Sequence, residues 1–248
     1  MLSRRGEGQP LRVAGNTMIP ASWNSFLHVS SNKEGLFKFL ANSLMDLPPD
    51  VTVLTTEKEH VLTNVEYDVS NISPCSHEEA DYRMILHAHD AYLKGYRKVL
   101  ISANDTDVVV IAVAAVSALE GLELWVTFGR GQNVIYIPTH EIARKLGHQR
   151  SQGLLFLHAI TGCDTVSAFN GIGKKTAWDV WTGMPHLWPL FQKLASAPVS
   201  VSEADIEEIE RFVVVMYSRT SPAHKVNDAR KQLFTNNNRH IETKGCSV

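Results

Sequence analysis

Hydrophobic positions in the middle of the chain follow helical and strand periods in turn. The segment from Glu78 to Leu93 carries apolar residues at helical spacing, and Gly95 follows it as a C-terminal cap. Lys98 to Ser102 is a short apolar run typical of a buried strand. The segment from Thr106 to Leu119 is ambiguous, because its VVVIAV run has strand propensity while its length of 14 residues favours a buried helix.

The pattern then returns to strands. Leu122 to Phe128 and Asn133 to Ile137 are predicted strands on either side of the turn Gly129-Arg130-Gly131, and Thr139 to Leu146 is a short helix that ends at Gly147. Because strands and helices alternate, we expect an α/β fold with a mainly parallel sheet and helices on its faces.

The flanking segments have other patterns. Residues 1–31 show no hydrophobic period and are predicted to be an irregular lead-in. A helix is predicted from Asn32, acting as its N-cap, to Leu44, and a strand at 51–56. The apolar stripe of that helix consists of Leu36, Phe39, Leu40 and Leu44.

After Ser151 the pattern is helical. Helices are predicted at Gln152 to Thr161, Lys174 to Trp181, from Ser202 onward with Ile206, Ile209, Val213 and Met216 on one face, and at Val226 to Phe234. We therefore divide the chain into the lead-in 1–31, an α/β core 32–150 and a helical region 151–248.

Composition narrows the class of protein. The 248 residues contain 24 Lys and Arg against 26 Asp and Glu, a net charge of −2, so any nucleic acid must be held by a local patch rather than by bulk charge. The longest apolar run, Val108 to Val116, is far shorter than the roughly 20 residues of a membrane span. Three widely spaced cysteines cannot form a disulfide framework. We expect an intracellular protein, in the nucleus or cytoplasm, with no membrane partner.

Carboxylates concentrate at three places. Glu79 and Asp81 open the helix before Gly95; Glu79 fits a capping box with Ser76, whereas Asp81 heads a core-facing stripe, where an acid needs a partner. Asp105 and Asp107 follow the strand that ends at Ser102, and one of them would suffice as a helix cap.

The third place is Asp164, at the end of an apolar helix, where a turn aspartate is the alternative interpretation. Acids brought together repel one another and need cations, and Mg²⁺ or Mn²⁺ prefer such oxygen ligands. Two such ions about 4 Å apart can activate water and stabilise the leaving oxygen of a phosphodiester. We therefore predict a two-metal site with catalytic and metal-binding roles for Glu79, Asp81, Asp105, Asp107 and Asp164.

A glycine hairpin follows the last acid. Gly171 and Gly173 form a tight G-x-G turn into a helix that begins with Lys174, Lys175 and Thr176. Free N–H groups at a helix start and two lysines suit a phosphate, while a plain helix–turn–helix joint with solvated lysines is the alternative. The segment fits neither a Walker A loop nor the G-x-G-x-x-G fingerprint.

The order of these motifs resembles the flap endonuclease (XPG-like) branch of the PIN-domain nucleases. The motifs are E-A-D at 79–81, D-T-D at 105–107, L-H-A-I-T-G-C-D at 157–164 and G-I-G-K-K-T-A-W at 171–178. The I-P-x-x-W lead-in and the V-N-D-A-R-K-Q-L-F segment are also similar to transposon-associated PIN-like proteins of animals.

The resemblance implies a PIN-like core followed by a helix–hairpin–helix element. It implies Mg-dependent, structure-specific cleavage of DNA, with RNA open as a substrate. The implied partner is branched or duplex DNA, and the 171–176 hairpin would grip its backbone.

The family pattern contains two more metal-binding aspartates before its first acid pair. Upstream of Ser76 this chain has Asp46, Asp50 and Asp68, and none of these follows a predicted strand. We expect the N-terminal part of the family pattern to be missing and the metal site to be incomplete. The alternatives are an inactive, truncated PIN-like module that binds nucleic acid or protein, and a structural remnant without nucleic-acid affinity.

Two further features bear on the site. His158 lies six residues before Asp164 and is predicted to be a core histidine, with a place near the acids as the alternative. The tail from Arg219 carries six bases and two acids, a modest patch that could follow a phosphate backbone or could equally be solvated surface.

Overall fold

The chain folds into two units, which divide between Asp90 and Ala91 within one helix. A computed structural model describes residues 10–76, 79–164 and 166–244, with side chains of the last helix described as far as residue 235. The elements of the first unit are α1 (Trp23–Leu27), α2 (Ser30–Leu44), the antiparallel pair β1 (Leu54–Glu57) and β2 (His60–Thr63), and most of α3 (Ala80–Leu93).

The first unit differs from the sequence prediction near its start. The lead-in contains α1, whose N-cap Ser22 accepts a hydrogen bond from the N–H of Ser25, so residues 1–31 are not irregular throughout. Asn32 does not cap α2; it lies inside the helix with 1% of its surface exposed, and its Oδ1 accepts the N–H of Leu11 at 2.7 Å. The predicted stripe is also wrong in part, because Leu40 and Leu44 are exposed.

The second unit contains a three-stranded sheet in its first part and, as far as the structure describes it, only helices after it. In chain order its elements are β3 (Lys98–Ser102), α4 (Thr106–Val116), β4 (Glu123–Phe128), β5 (Ile135–Pro138), α5 (Thr139–Leu146), α6 (His148–Ile160), α7 (Lys174–Thr182), α8 (Trp188–Ala195), α9 (Glu203–Tyr217) and α10 (Val226–Lys244). After β5 the described residues contain no further strand, as predicted for the region after Ser151.

The sheet has the order β3-β4-β5 and mixed pairing. β3 and β4 are parallel, with Leu100 opposite Trp125, while β4 and β5 are antiparallel, with Thr127 opposite Tyr136. The expectation of a mainly parallel sheet is therefore wrong for β5, because the glycine turn makes a hairpin and a hairpin joins antiparallel strands. The mixed α/β class itself is confirmed.

The sheet buries one face against α4 and α5. Leu124 and Val126 of β4 have no more than 1% of their surface exposed, while Leu100 on the other face is more than half exposed. The ambiguous segment after β3 is a helix, since α4 buries Val108, Ala112 and other residues of its run among these elements.

A second core lies among the later helices. Trp181, Phe191 and Phe212 are fully buried and pack ring against ring, with Trp181 stacked on Phe191 at 5.7 Å between ring centroids. This core fixes α7 against α6, α8 and α9, and so holds the hairpin that precedes α7. None of the described helices combines the length and the apolar composition needed to cross a membrane.

Candidate metal and nucleic-acid site

The carboxyl end of β3 leads into α4 through Asp105 and Asp107. Asp105 is the N-cap of α4: its backbone is extended, and its Oδ1 accepts the N–H of Asp107 at 2.9 Å. Asp107 lies in the first turn, and its carboxylate is not needed for the cap. Open α/β sheets place their sites at this end of a strand, so the acid pair occupies the expected position.

His158 is the contact of Asp107. It lies in the last turn of α6, and its Nε2 is 2.8 Å from Oδ1 of Asp107. The side chain of His158 is only 12% exposed and that of Asp107 is 29% exposed, so water screens this pair weakly. The structure therefore shows His158 beside an acid, which was the alternative to the predicted core histidine.

Lys174 continues this path from the hairpin helix. Its Nζ lies 2.6 Å from the carbonyl oxygen of Gly162, 3.2 Å from that of His158 and 3.3 Å from Nδ1 of His158. A fourth contact, at 3.4 Å, is with Oγ1 of Thr161. The carbonyls at a helix C-terminus carry partial negative charge, so the ammonium group stabilises the end of α6.

The hairpin before α7 has the backbone that its glycines require. Gly171 has φ of +74°, a left-handed conformation that favours glycine, and Gly173 is the N-cap of α7. Among the described residues no side chain caps α7 and no acid lies in its first turn. The hydroxyl of Tyr217 donates to the carbonyl oxygen of Asn170 at 3.2 Å, which ties the hairpin to α9.

The other two predicted hairpin residues face different surroundings. Lys175 has 87% of its side chain exposed and forms an ion pair with Asp179 at 2.8 Å, one helical turn later. Thr176 is half-buried in the first turn of α7. Uncapped N–H groups beside an exposed ammonium are the arrangement that favours an anion at a helix start.

Asp164 lies on the segment between α6 and the hairpin. It is exposed, four residues after Ile160, where α6 ends. Gly162 reverses the chain here with φ of +98°, and a Cβ on it would lie 2.7 Å from the Cα of Ala168. The path from Asp107 through His158 and Lys174 thus reaches Gly162, two residues before Asp164.

The remaining predicted acids belong to the first unit. Glu79 is exposed immediately before α3, and its carbonyl oxygen accepts the N–H of Arg83. Asp81 is half-buried in the first turn of α3. The predicted helix start at Glu78 lies outside the described residues. Arg83 donates to the carbonyl oxygens of Lys58 and Cys75, which anchors the start of α3 to the β1–β2 turn.

A buried acid later in α3 was not predicted from the sequence. Asp90 is 1% exposed and accepts hydrogen bonds from the hydroxyl of Tyr67 at 3.0 Å and from Nδ2 of Asn71 at 3.3 Å. Burial lowers the pKa of the neighbouring His87, while the charge of Asp90 opposes that shift. Both donors lie 19 or more residues away in a loop, so no local pattern could reveal them.

The acid pair offers oxygen atoms of the kind that a hard divalent cation prefers. In the described structure Oδ2 of Asp105 and Oδ2 of Asp107 have no hydrogen bond, while the corresponding Oδ1 atoms are bonded. Magnesium is commonly held by one or two carboxylates together with waters and phosphate oxygens. Within either unit, the described part of the chain contains no group of three or more His, Cys, Asp or Glu residues suited to a metal.

The basic tail is described only in part. Arg219 and Arg230 are exposed, while Lys225 lies 3.6 Å from Glu207 and Lys231 lies 4.0 Å from Asp228. The side chains of Arg239 and Lys244 lie outside the described ones. Comparison of the chain with protein-family models, curated proteins and solved structures finds no match.

Proposed function

We propose that this protein is a metal-dependent nuclease that cleaves phosphodiester bonds in branched or nicked duplex DNA. The observation that carries the proposal is the path of contacts Asp107–His158–Lys174, which joins the acid pair after β3 to the first residue of the hairpin helix. A phosphate bound at the start of α7 would therefore lie in the same unit as the acids and would be linked to them through two side chains.

The residues present divide the work. Asp105 and Asp107 would hold Mg²⁺ or Mn²⁺, and Asp164 is the further acid of the second unit proposed for the same role. The cation, when bound, supplies Lewis-acid activation of water and neutralises phosphate charge. The hairpin N–H groups and Lys175 would orient the backbone of the duplex, and no side chain is required as a nucleophile.

Cleavage of a flapped or nicked duplex in Mg²⁺ tests this proposal. The double substitution of Asp105 and Asp107 to Asn keeps an N-cap and an acceptor for His158 but removes both charges. We expect cleavage to be lost while the free energy of unfolding changes by less than about 1 kcal/mol. The double variant with Asp105→Ala and Asp107→Ala also removes the side-chain acceptors. Cleavage that persists in both double variants would contradict the proposal.

A non-catalytic nucleic-acid-binding module is the second candidate. Asp105 caps a helix and Asp107 is bonded to His158, so both acids already have partners within the protein. This candidate predicts duplex binding with no cleavage in Mg²⁺ or Mn²⁺, and loss of binding on Lys174→Glu with Lys175→Glu.

A further inference from the structure

The two adjacent lysines at the start of α7 have different environments. Nζ of Lys174 has four oxygen or nitrogen neighbours within 3.4 Å, all on the last turn of α6 or just after it. Lys175 has 87% of its side chain exposed, and its one contact in the described structure is with Asp179. Adjacent positions in the sequence therefore place the two ammonium groups in different surroundings.

Lys174 is itself an exposed residue, but its ammonium group is bonded within the protein. Its ammonium group has three protons, and carbonyl oxygens of Gly162 and His158 together with Nδ1 of His158 can accept all three. A phosphate could recruit this group only by breaking the contacts at the end of α6. Lys175 gives up a single exposed ion pair, and exposed pairs of this kind are worth little.

Lys174 and Asp107 contact the two ring nitrogens of His158. An ammonium group can only donate, so a neutral His158 ring that accepts from Lys174 at Nδ1 has its proton on Nε2. Nε2 then donates to Oδ1 of Asp107 at 2.8 Å. This bond fixes the orientation of the Asp107 carboxylate, and hydrogen bonds of this kind orient the ligands of metal sites.

We infer that His158 and Lys174 are positioning residues that hold the hairpin in a fixed register with Asp107, whereas Lys175 is the lysine that contacts the phosphate backbone of a duplex. The inference rests on the proposed function for its substrate. The link itself is a property of the free protein and can be measured without nucleic acid.

The link is tested by ¹⁵N NMR of the histidine rings in the free, full-length protein. We expect the Nδ1 resonance of His158 to shift in Lys174→Gln but not in the matched Lys175→Gln. Identical spectra for the two variants would overturn the link.

The division of roles is tested by the salt dependence of binding to a fluorescent nicked duplex, measured in Ca²⁺ so that cleavage does not interfere. Each phosphate contact contributes about 0.9 to the slope of log affinity against log salt concentration. We expect Lys175→Gln to make this negative slope shallower by about 0.9 and Lys174→Gln to leave it unchanged. The opposite result would overturn the assignment of Lys175.

Cleavage kinetics separate positioning from a merely structural role. We expect His158→Leu and Lys174→Gln to lower kcat by about 10–100-fold with little change in KM, as for other groups that orient metal ligands. His158→Gln, which keeps a donor and an acceptor, should recover part of the loss. Equal kcat for His158→Leu and His158→Gln would overturn the positioning role.

These measurements have distinguishable failures. A wild-type protein that binds no duplex overturns both the proposed function and the role of Lys175, while the histidine spectra still decide the link between Lys174 and His158. If the wild-type protein binds duplex with the expected salt slopes but does not cleave it, the proposed nuclease activity is wrong. The separate roles of Lys174 and Lys175 then still hold.

Discussion

Two glycines near the site have positive φ for different reasons. At Gly162 the chain conformation is left-handed and an added Cβ would also strike Ala168 at 2.7 Å. At Gly171 the φ of +74° is the only constraint, because nothing in the described structure lies within 4 Å of an added Cβ. Substitution of these two glycines therefore separates the cost of backbone strain from the cost of a steric clash.

Gly162→Ala and Gly171→Ala form a matched test at this scale. We expect Gly171→Ala to lower the free energy of unfolding by about 1–2 kcal/mol through strain alone. Gly162→Ala should lower it by about 2–5 kcal/mol, because the contact with Ala168 adds to the strain. Urea unfolding followed by tryptophan fluorescence measures both, and equal losses would contradict the steric argument.

Single residues were the least predictable part of the site. The alternative role of Asp105 as a helix cap is confirmed. This role could be predicted from the sequence because an N-cap depends only on a neighbour two residues away. The contact between Asp107 and His158 spans 51 residues, and the role of Lys174 depends on where α6 ends. Spacing along the sequence contains neither distance, so His158 could be placed near the acids only as an alternative, and the contacts of Lys174 could not be predicted.

At the scale of elements, α9 begins with a capping box. Oγ of Ser202 accepts the N–H of Asp205, and Oδ2 of Asp205 accepts the N–H of Ser202. Lys193 of α8 also donates to this carboxylate at 2.6 Å. The bond from Lys193 and the bonds from Ser202 lower the pKa of Asp205 to about 2 from its ordinary 3.8.

This pKa predicts an acid-sensitive contribution to stability. Between pH 3.8 and about 2 the unfolded chain takes up a proton that the folded chain does not, so stability falls as the pH falls through this window. We expect Asp205→Asn to be less stable than wild type at pH 6 and the difference to vanish towards pH 2. Urea midpoints across this range check it, with Glu203→Gln as the control for removing an exposed acid from the same turn; a difference that persists at pH 2 contradicts the assignment.

Elements with strong local signals were predicted well. The bounds of β3 and α5 match the prediction, and α7 begins at Lys174 as expected. Glycines or helix caps near these elements mark where they begin or end. The prediction missed α8, since Pro185 and Pro189 indicate a loop although proline fits the first turn of a helix. The predicted apolar stripe of α2 is wrong at Leu40 and Leu44, which are exposed, because the fully buried positions of this helix are the small and polar residues Ala41 and Asn32.

At the scale of the whole molecule, charge sets how strongly a duplex could be held. The net charge of −2 gives no long-range attraction to nucleic acid. In the described structure Arg219 and Arg230 are exposed without an acidic partner, while Lys225 and Lys231 face acids at 3.6 and 4.0 Å. Among the described bases, these two arginines and Lys175, whose pair with Asp179 is exposed, are the ones proposed to contact phosphates.

Three phosphate contacts predict a shallow salt dependence. At about 0.9 per contact, the slope of log affinity against log salt concentration should be near −3, well below that of a protein making six to ten contacts. Arg219→Gln and Arg230→Gln should each reduce the magnitude of the slope by about 0.9, and Lys193→Gln, whose ammonium group donates to the Asp205 carboxylate at 2.6 Å, serves as the control. Anisotropy titrations between 50 and 200 mM salt measure it. A slope near −6 would mean that a wider basic surface than the hairpin and these arginines engages the duplex, because near-neutral proteins gain such slopes only from many local contacts.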